Sequence, residues 1–182
     1  MQLNMRNYVA GADYGEVYRL FTHMSVNPMI INKPDHNSMT VFSKWFDRHL
    51  ETDYHDFMIF TTSEEQFVGF AYSYEFQELN GHCQFTVAVK PEFQMTGVGG
   101  IISIKFLNYL FAHYNLRKVY IHIYEHNVHS RQCVESFGFC LEGTLQEYRF
   151  YNGEFENVLI YAVTRERFHA IIKQMNFFNN GV

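Results

Sequence analysis

The sequence predicts a mixed α/β fold, α+β in its proportions: a central mixed sheet flanked by helices, in one domain spanning residues 1–182. Three observations carry that prediction. Between the β-rich runs Cys83–Val89 and Lys118–Tyr124 lies a segment whose apolar residues recur every three or four positions, the pattern of a parallel strand–helix–strand unit. Asn152-Gly153 separates two further β-rich runs, the strongest short-range hairpin signal. The chain of 182 residues is about one domain long, with no linker or internal repeat to divide it.

The elements follow in order. Leu3–Tyr8 reads as a first strand. Asp13–His23 places Val17, Leu20 and Phe21 at helical spacing, with Asp13 near the helix start. Residues 25–38, with two prolines and three asparagines, read as loop. Ser38–Leu50 is helical, with Val41, Phe42, Trp45 and Phe46 on one face. Phe57–Phe60 and Gln66–Tyr74 flank Ser63-Glu64-Glu65 as a hairpin, and Asn80-Gly81 marks the turn into Cys83–Val89. Pro91 ends that strand, because proline cannot donate to a ladder. Val98–Tyr114 is a helix apolar on most of its surface, hence a buried one. Lys118–Tyr124 is a strand, Ser130–Phe137 a short helix stopped by Gly138, and Cys140–Tyr151 with Glu154–Val163 the last hairpin. Arg165–Met175 reads as a terminal helix.

Composition narrows the function. A net charge of −5 argues against nucleic-acid binding and is compatible with a cationic partner. The three cysteines, Cys83, Cys133 and Cys140, lack metal or disulfide spacing and read as reduced thiols. His122, His126 and His129 have no recognised ligand spacing, so no metal is expected. The N-terminus shows no apolar leader, and no apolar run reaches spanning length. A soluble, cytoplasmic protein without membrane contact is the expectation.

The chemistry is carried by Val87-Ala88-Val89-Lys90-Pro91-Glu92-Phe93-Gln94-Met95-Thr96-Gly97-Val98-Gly99-Gly100, where a strand stops and three glycines open a long apolar helix. Backbone N–H groups in a first helical turn have no intrahelical acceptor, and the helix dipole makes that end positive. Glycines let a pyrophosphate approach. Neither G-K-[ST] nor G-x-G-x-x-G is present, so the nucleotide P-loop and the dinucleotide fingerprint are both excluded. On the glycines alone, tight helix–strand packing explains the segment equally well.

Gln94-Met95-Thr96-Gly97-Val98-Gly99 resembles the Q/R-x-x-G-x-G/A acetyl-CoA signature of the GNAT N-acetyltransferases. Asn127, Ser130, Glu135, Gly138 and Phe139 match that family's N-x-x-S-x-x-x-x-E-x-x-G-F segment, and Leu141-Glu142-Gly143-Thr144-Leu145 with Asn152-Gly153 match its final hairpin. That ending is most similar to ribosomal-protein N-terminal acetyltransferases and spermidine acetyltransferases. The resemblance implies a splayed central sheet and acetyl-CoA as co-substrate. It implies that backbone groups of Val87 and Val89 pair with the pantetheine arm. N–H groups across Gln94, Met95, Thr96, Gly97, Val98 and Gly99 would hold the pyrophosphate. Asn127 would face the thioester end, and residues around Ser130 would lie near the sulfur. The acceptor is expected to be a small-molecule or peptide amine: a protein N-terminus, a polyamine, or an aminated metabolite or antibiotic. A homodimer is compatible with the pattern.

Acetyl transfer to an amine needs a neutral nucleophile. An alkyl amine with a pKa of about 10.4 is only about one part in 10³ neutral at pH 7, a cost of roughly 4 kcal/mol. The departing thiolate needs a proton. Many family members carry a tyrosine where this chain has Val134, so the donor must come from elsewhere, with Ser130 and Tyr124 as candidates. Ser130 also fits an ordinary helix N-cap. Gln84 stands where relatives often place a glutamate, which leaves Glu75 and Glu147 as candidate bases acting through water. Cys133 reads as packing. Trp45, Tyr72 and Tyr74 suit either an acceptor wall or the core. The rival reading is an acetyl-CoA-binding module without catalysis, favoured by Val134 and Gln84.

Overall fold

The computed structural model describes residues 2–31 and 38–175. The elements are β1 (Leu3–Asn7), α1 (Ala10–Thr22), α2 (Met39–Thr52), β2 (Tyr54–Thr62), β3 (Phe67–Gln77), β4 (His82–Val89), α3 (Val98–His113), β5 (Lys118–Tyr124), α4 (Val128–Ser136), β6 (Cys140–Tyr151), β7 (Glu154–Thr164) and α5 (Arg165–Gln174). The hydrogen-bonded strand order is β1-β2-β3-β4-β5-β7-β6. β4 and β5 are parallel, whereas β1–β2, β2–β3, β5–β7 and β6–β7 are antiparallel. The mixed α/β class and the parallel β4–α3–β5 unit are as the sequence predicts. The loop read over 25–38 contains a 3₁₀ turn at Asn27–Met29, and its residues 32–37 lie outside the described residues. Among the described residues no helix is long and apolar enough to cross a membrane.

The chain divides into two units interleaved in sequence. The first takes residues 1–76 and 85–106, the second 77–84 and 107–182, so β4 and α3 each contribute to both. The first unit has an aromatic core of Phe21, Phe42, Phe46, Phe57, Phe70 and Tyr72 packed with Val17, Leu20 and Ile59. Phe21 stacks on Phe70 with ring centres 4.8 Å apart, and Phe57 on Tyr72 at 5.4 Å. Tyr72 and Tyr74 are buried in this cluster and Trp45, partly buried, packs against it, in keeping with the core reading of them. Val41, expected on the buried face, turns outward.

Two polar devices start the helices of this unit. The Ser38 hydroxyl accepts from Val41 N–H at 3.3 Å and caps α2. α1 begins at Ala10, three residues before the expected Asp13, because the Asp13 carboxylate reaches back to Val9 N–H at 2.8 Å. The same buried carboxylate takes two bonds from the Arg6 guanidinium, at 2.6 and 2.7 Å. That fork holds the Asp13 carboxyl below the usual carboxylate range against the opposing effect of burial.

β4 runs close against β3. A Cβ placed on Gly69 would lie 2.2 Å from Ala88 O and 3.1 Å from Val89 Cα, so only glycine admits this approach. Lys90 N–H extends the contact to Val68 O at 2.9 Å. Successive strand residues turn their N–H and C=O to opposite sides. With Ala88 and Lys90 turned to β3, Val87 and Val89 present their backbone groups at the other edge of β4.

In the second unit the β4–β5 ladder is three pairs long, from His82↔Lys118 to Gln84↔Tyr120, while β5 stays paired with β7 to Tyr124. Arg165, the first residue of α5, gathers the carbonyls of Phe111, Tyr114 and Leu116, the last at 2.8 Å, and lies over the Phe111 ring. Gly138 adopts φ +87, the left-handed conformation that ends α4, and a Cβ there would meet Ile171 Cδ1 at 2.4 Å.

Two outcomes follow. Gly69→Ala should cost about 3 kcal/mol in denaturant unfolding, by driving a methyl into the β4 backbone. Asp13→Asn should cost about 1–2 kcal/mol at pH 7, an estimate lowered because Arg6 is partly exposed. The folded Asp13 carboxyl sits below its unfolded value of about 3.9. Its contribution is therefore complete above that value and is lost as pH falls below it. The stability gap between wild type and Asp13→Asn should close on acidification through that range.

Candidate active site

In the first unit the strand–turn–helix segment is organised by its own side chains. Pro91–Phe93 form a 3₁₀ turn after β4, closed by Phe93 N–H to Lys90 O at 2.9 Å. Gln94 N–H bonds Pro91 O at 3.1 Å, and its side-chain amide donates to Val89 O at 3.2 Å. Gln94 therefore ties the turn to the strand end, and its N–H is not available to an anion as the resemblance implies. The Thr96 hydroxyl donates to Phe93 O at 2.6 Å. Ile101 N–H to Gly97 O, at 3.2 Å, opens α3.

Among the described residues, Met95, Thr96 and Gly97 donate no backbone hydrogen bond, and the first turn of α3 follows directly. Gly97 has φ +83 with no atom within 4 Å of where a Cβ would stand, an open cradle. Met95 also adopts φ +60 with its side chain 76% exposed, a conformation costing a non-glycine residue about 1–2 kcal/mol. Gly99 leaves room for Val89, whose Cγ2 would be 3.5 Å from an added Cβ. The residues Gln94–Gly99 contain no lysine or arginine. The neighbouring Lys90 is engaged by Glu92 at 3.2 Å and Glu16 at 3.9 Å. An anion here is held by backbone dipoles, which is the chemistry that fits a pyrophosphate. Acetyl-CoA bound here would supply the activated acetyl thioester.

In the second unit Asn127, not Ser130, caps α4: its Oδ1 accepts from Ser130 N–H at 3.1 Å. Ser130 occupies the third position of the helix, so the N-cap reading of it is corrected and its hydroxyl is not used in capping. Val134 is buried and carries no proton. Tyr124 ends β5 with 3% exposure, in a three-ring cluster with His126 at 5.4 Å and Tyr151 at 5.7 Å, which themselves stack at 4.8 Å. Burial raises its phenol pKa, partly offset by Arg149, so it remains a protonated donor at neutral pH. Cys133 is half-buried and burial raises its thiol pKa, consistent with packing rather than nucleophilic chemistry. Glu135 is engaged by the Tyr161 hydroxyl at 2.7 Å.

Both candidate bases are exposed and share a backbone feature. Glu75 on β3 and Glu147 on β6 each adopt φ +49, the left-handed region that a β-strand glutamate rarely enters. Glu147 sits in a bulge where the β6–β7 register shifts between Leu145 and Arg149. Its N–H donates to Asn157 Oδ1 at 2.8 Å. Sequence reasoning missed Asn157. The available signal was an asparagine inside the β-rich run Glu154–Val163, where the residue is disfavoured unless its amide has partners.

Residues 2–140 match the domain family described as acetyltransferase (GNAT) domain. The spermidine N(1)-acetyltransferase of Vibrio cholerae serotype O1 is 23% identical over 157 residues, covering 86% of this chain and 90% of that protein. A prophage-derived uncharacterised N-acetyltransferase of Bacillus subtilis is 26% identical over 125 residues, covering 69% and 70% of the two chains. The crystal structure of the Vibrio cholerae spermidine N-acetyltransferase in complex with CoA and spermine shares the fold, with a TM-score of 0.83 and 21% identity. It covers 92% of this chain and 98% of that one. The backbone cradle after β4 thus has the family expected of it: the chain belongs to the GNAT acetyltransferases and is an acetyl-CoA-dependent N-acetyltransferase.

Proposed function

We propose that residues 1–182 act as one N-acetyltransferase domain that moves the acetyl group of acetyl-CoA onto a primary amine of a polyamine. The open cradle at Met95–Gly97, built on backbone N–H groups after an outward-facing strand edge, carries the acetyl-CoA half of the reading. The polyamine half is supported by curated relatives named spermidine N(1)-acetyltransferase, matched over 86% and 74% of the chain, and by its net charge of −5.

The pyrophosphate rests on Met95, Thr96, Gly97 and the first turn of α3, Val98 and Gly99 included. The edge of β4 at Val87 and at the Val89 N–H takes the amide-bearing pantetheine arm as an added strand, the Val89 carbonyl being held by Gln94. Asn127 and Ser130 serve the thioester end, with Asn127 also fixing the start of α4. The neutral amine attacks the thioester carbonyl, the tetrahedral oxyanion collapses, and the carbon–sulfur bond breaks. The amine proton leaves through water to Glu147, and Tyr124 protonates the departing thiolate. Direct attack needs no cysteine intermediate, in keeping with the masked character of Cys133. The exposed rings of Phe150 and Phe155, 5.5 Å apart on the β6–β7 hairpin, support a homodimer contact, and a cytoplasmic location is part of the same proposal.

Release of CoA thiol from acetyl-CoA with spermidine should be measurable, and Gly97→Glu should weaken acetyl-CoA binding at least ~100-fold by placing a carboxylate in the cradle. Binding without release to spermidine, N-terminal peptides or aminoglycosides would instead favour the non-catalytic module. Tyr124→Phe should lower kcat by about 10²-fold while the KM for acetyl-CoA stays within about threefold, the pattern of a lost proton donor. An unchanged kcat would remove Tyr124 from the mechanism.

A further inference from the structure

The bulge that carries Glu147 is wide. Leu145 pairs with Val158 and Arg149 with Glu156, so Gln146, Glu147 and Tyr148 all stand opposite Asn157. Three residues facing one cannot complete a ladder, and the unpaired N–H groups need another partner. The Asn157 side chain supplies it. Its Oδ1 accepts from Glu147 N–H at 2.8 Å, and its Nδ2 donates to Glu125 Oε2 at 2.8 Å. Its own carbonyl accepts from Glu125 N–H at 3.0 Å, and Arg131 holds the Glu125 carbonyl at 2.9 Å. One amide therefore links the strained backbone of Glu147 to the residue that follows Tyr124.

We propose that Asn157 is a positioning residue that holds the proton acceptor Glu147 and the segment carrying the proton donor Tyr124 in register. This rests on the roles assigned to those two residues in the proposed function. Asparagine is singled out chemically. Aspartate of the same shape keeps the acceptor for Glu147 but loses the donor for Glu125, and leucine loses both. Strain of the kind seen at Glu147 persists only where surrounding bonds over-determine it, and the only side-chain bond to that backbone among the described residues is the one to Asn157.

The test is a double-mutant cycle read as CoA release with spermidine, together with amide hydrogen exchange. Asn157→Leu should lower kcat about 10- to 100-fold with the KM for acetyl-CoA within about twofold. In a Glu147→Gln background the same change should cost several-fold less than in the wild type, because the part of its effect that acts through Glu147 is already gone. Equal losses in the two backgrounds would mean a merely structural part and would overturn the proposal. The Glu147 amide should be protected in the wild type and in Asn157→Asp, and should exchange at least ~10-fold faster in Asn157→Leu. Loss of protection in Asn157→Asp, read in a Glu125→Gln background so that no second carboxylate lies against the new one, would overturn it too. If Glu147→Gln leaves kcat unchanged, the base assignment falls and the positioning role with it. Acetyl-CoA binding and Tyr124→Phe then judge the wider reading separately.

Discussion

The close approach of β4 to β3 at Gly69 is the constraint on which the acetyl-CoA half of the protein depends. A side chain there would collide with Ala88 O, so the two backbones could not pack as they do. Because they do, Ala88 and Lys90 turn their polar groups toward β3, and alternation sends those of Val87 and Val89 the other way. An edge of this kind is an aggregation hazard unless something covers it, and an extended amide-bearing ligand arm is one solution. The turn that follows repeats the economy: Gln94 and Thr96 use their side chains to satisfy carbonyls of the strand end and the 3₁₀ turn. The N–H groups beyond them donate no backbone hydrogen bond among the described residues.

The cradle proposed for acetyl-CoA offers dipoles rather than ions. Lys90 could have supplied a cation, but Glu16 and Glu92 engage it. In a chain of net charge −5, a phosphate ligand at the proposed cradle would be met by local fields at a helix N-terminus, whose effect is short in range and fades within the first turn. Strain accumulates at the same kinds of place. Met95 in the cradle, Glu75 at the end of β3 and Glu147 in the β6 bulge all hold left-handed conformations that glycine would adopt at no cost. Elsewhere the left-handed positions are mostly turn residues such as Gly81, Asn152 and Gly153, which need no such explanation.

What could be read from the sequence followed the strength of its local signals. The period change across Val98–Tyr114, the Asn152-Gly153 turn and the glycine-rich helix start each come from physics that acts over a few residues, and each element is found where that physics puts it. Element ends were less legible. α1 starts early because Asp13 is bound by Arg6, a residue seven positions away in another element, and no local pattern announces that bond. The same limit governs the site. The phosphate loop lies in one stretch and could be recognised there. The cap made by Asn127, the clamp made by Asn157 and the three-carbonyl grip of Arg165 join residues separated by 3, 10 and about 50 positions. Only the first falls within reach of a sequence pattern, and even there the cap was placed on the serine rather than on the asparagine.

The valine at position 134 bears on whether such a site turns over, and magnitudes decide the matter. A positioned general acid or base contributes about 10²–10⁴-fold, roughly 3–5 kcal/mol. Holding an amine against an activated thioester in the reactive geometry contributes roughly 7–11 kcal/mol. The larger share therefore rests on binding both partners in place rather than on a proton donor at position 134. The smaller share can be restored by any phenol kept protonated near the leaving sulfur. Tyr124 is buried, its pKa is raised by that burial, and the residue after it is tied by Asn157 to the strained backbone of Glu147. Were Tyr124 the donor, as proposed, the proton would come from a strand end rather than from position 134, and the dominant part of the rate acceleration would still lie in binding the two partners in place.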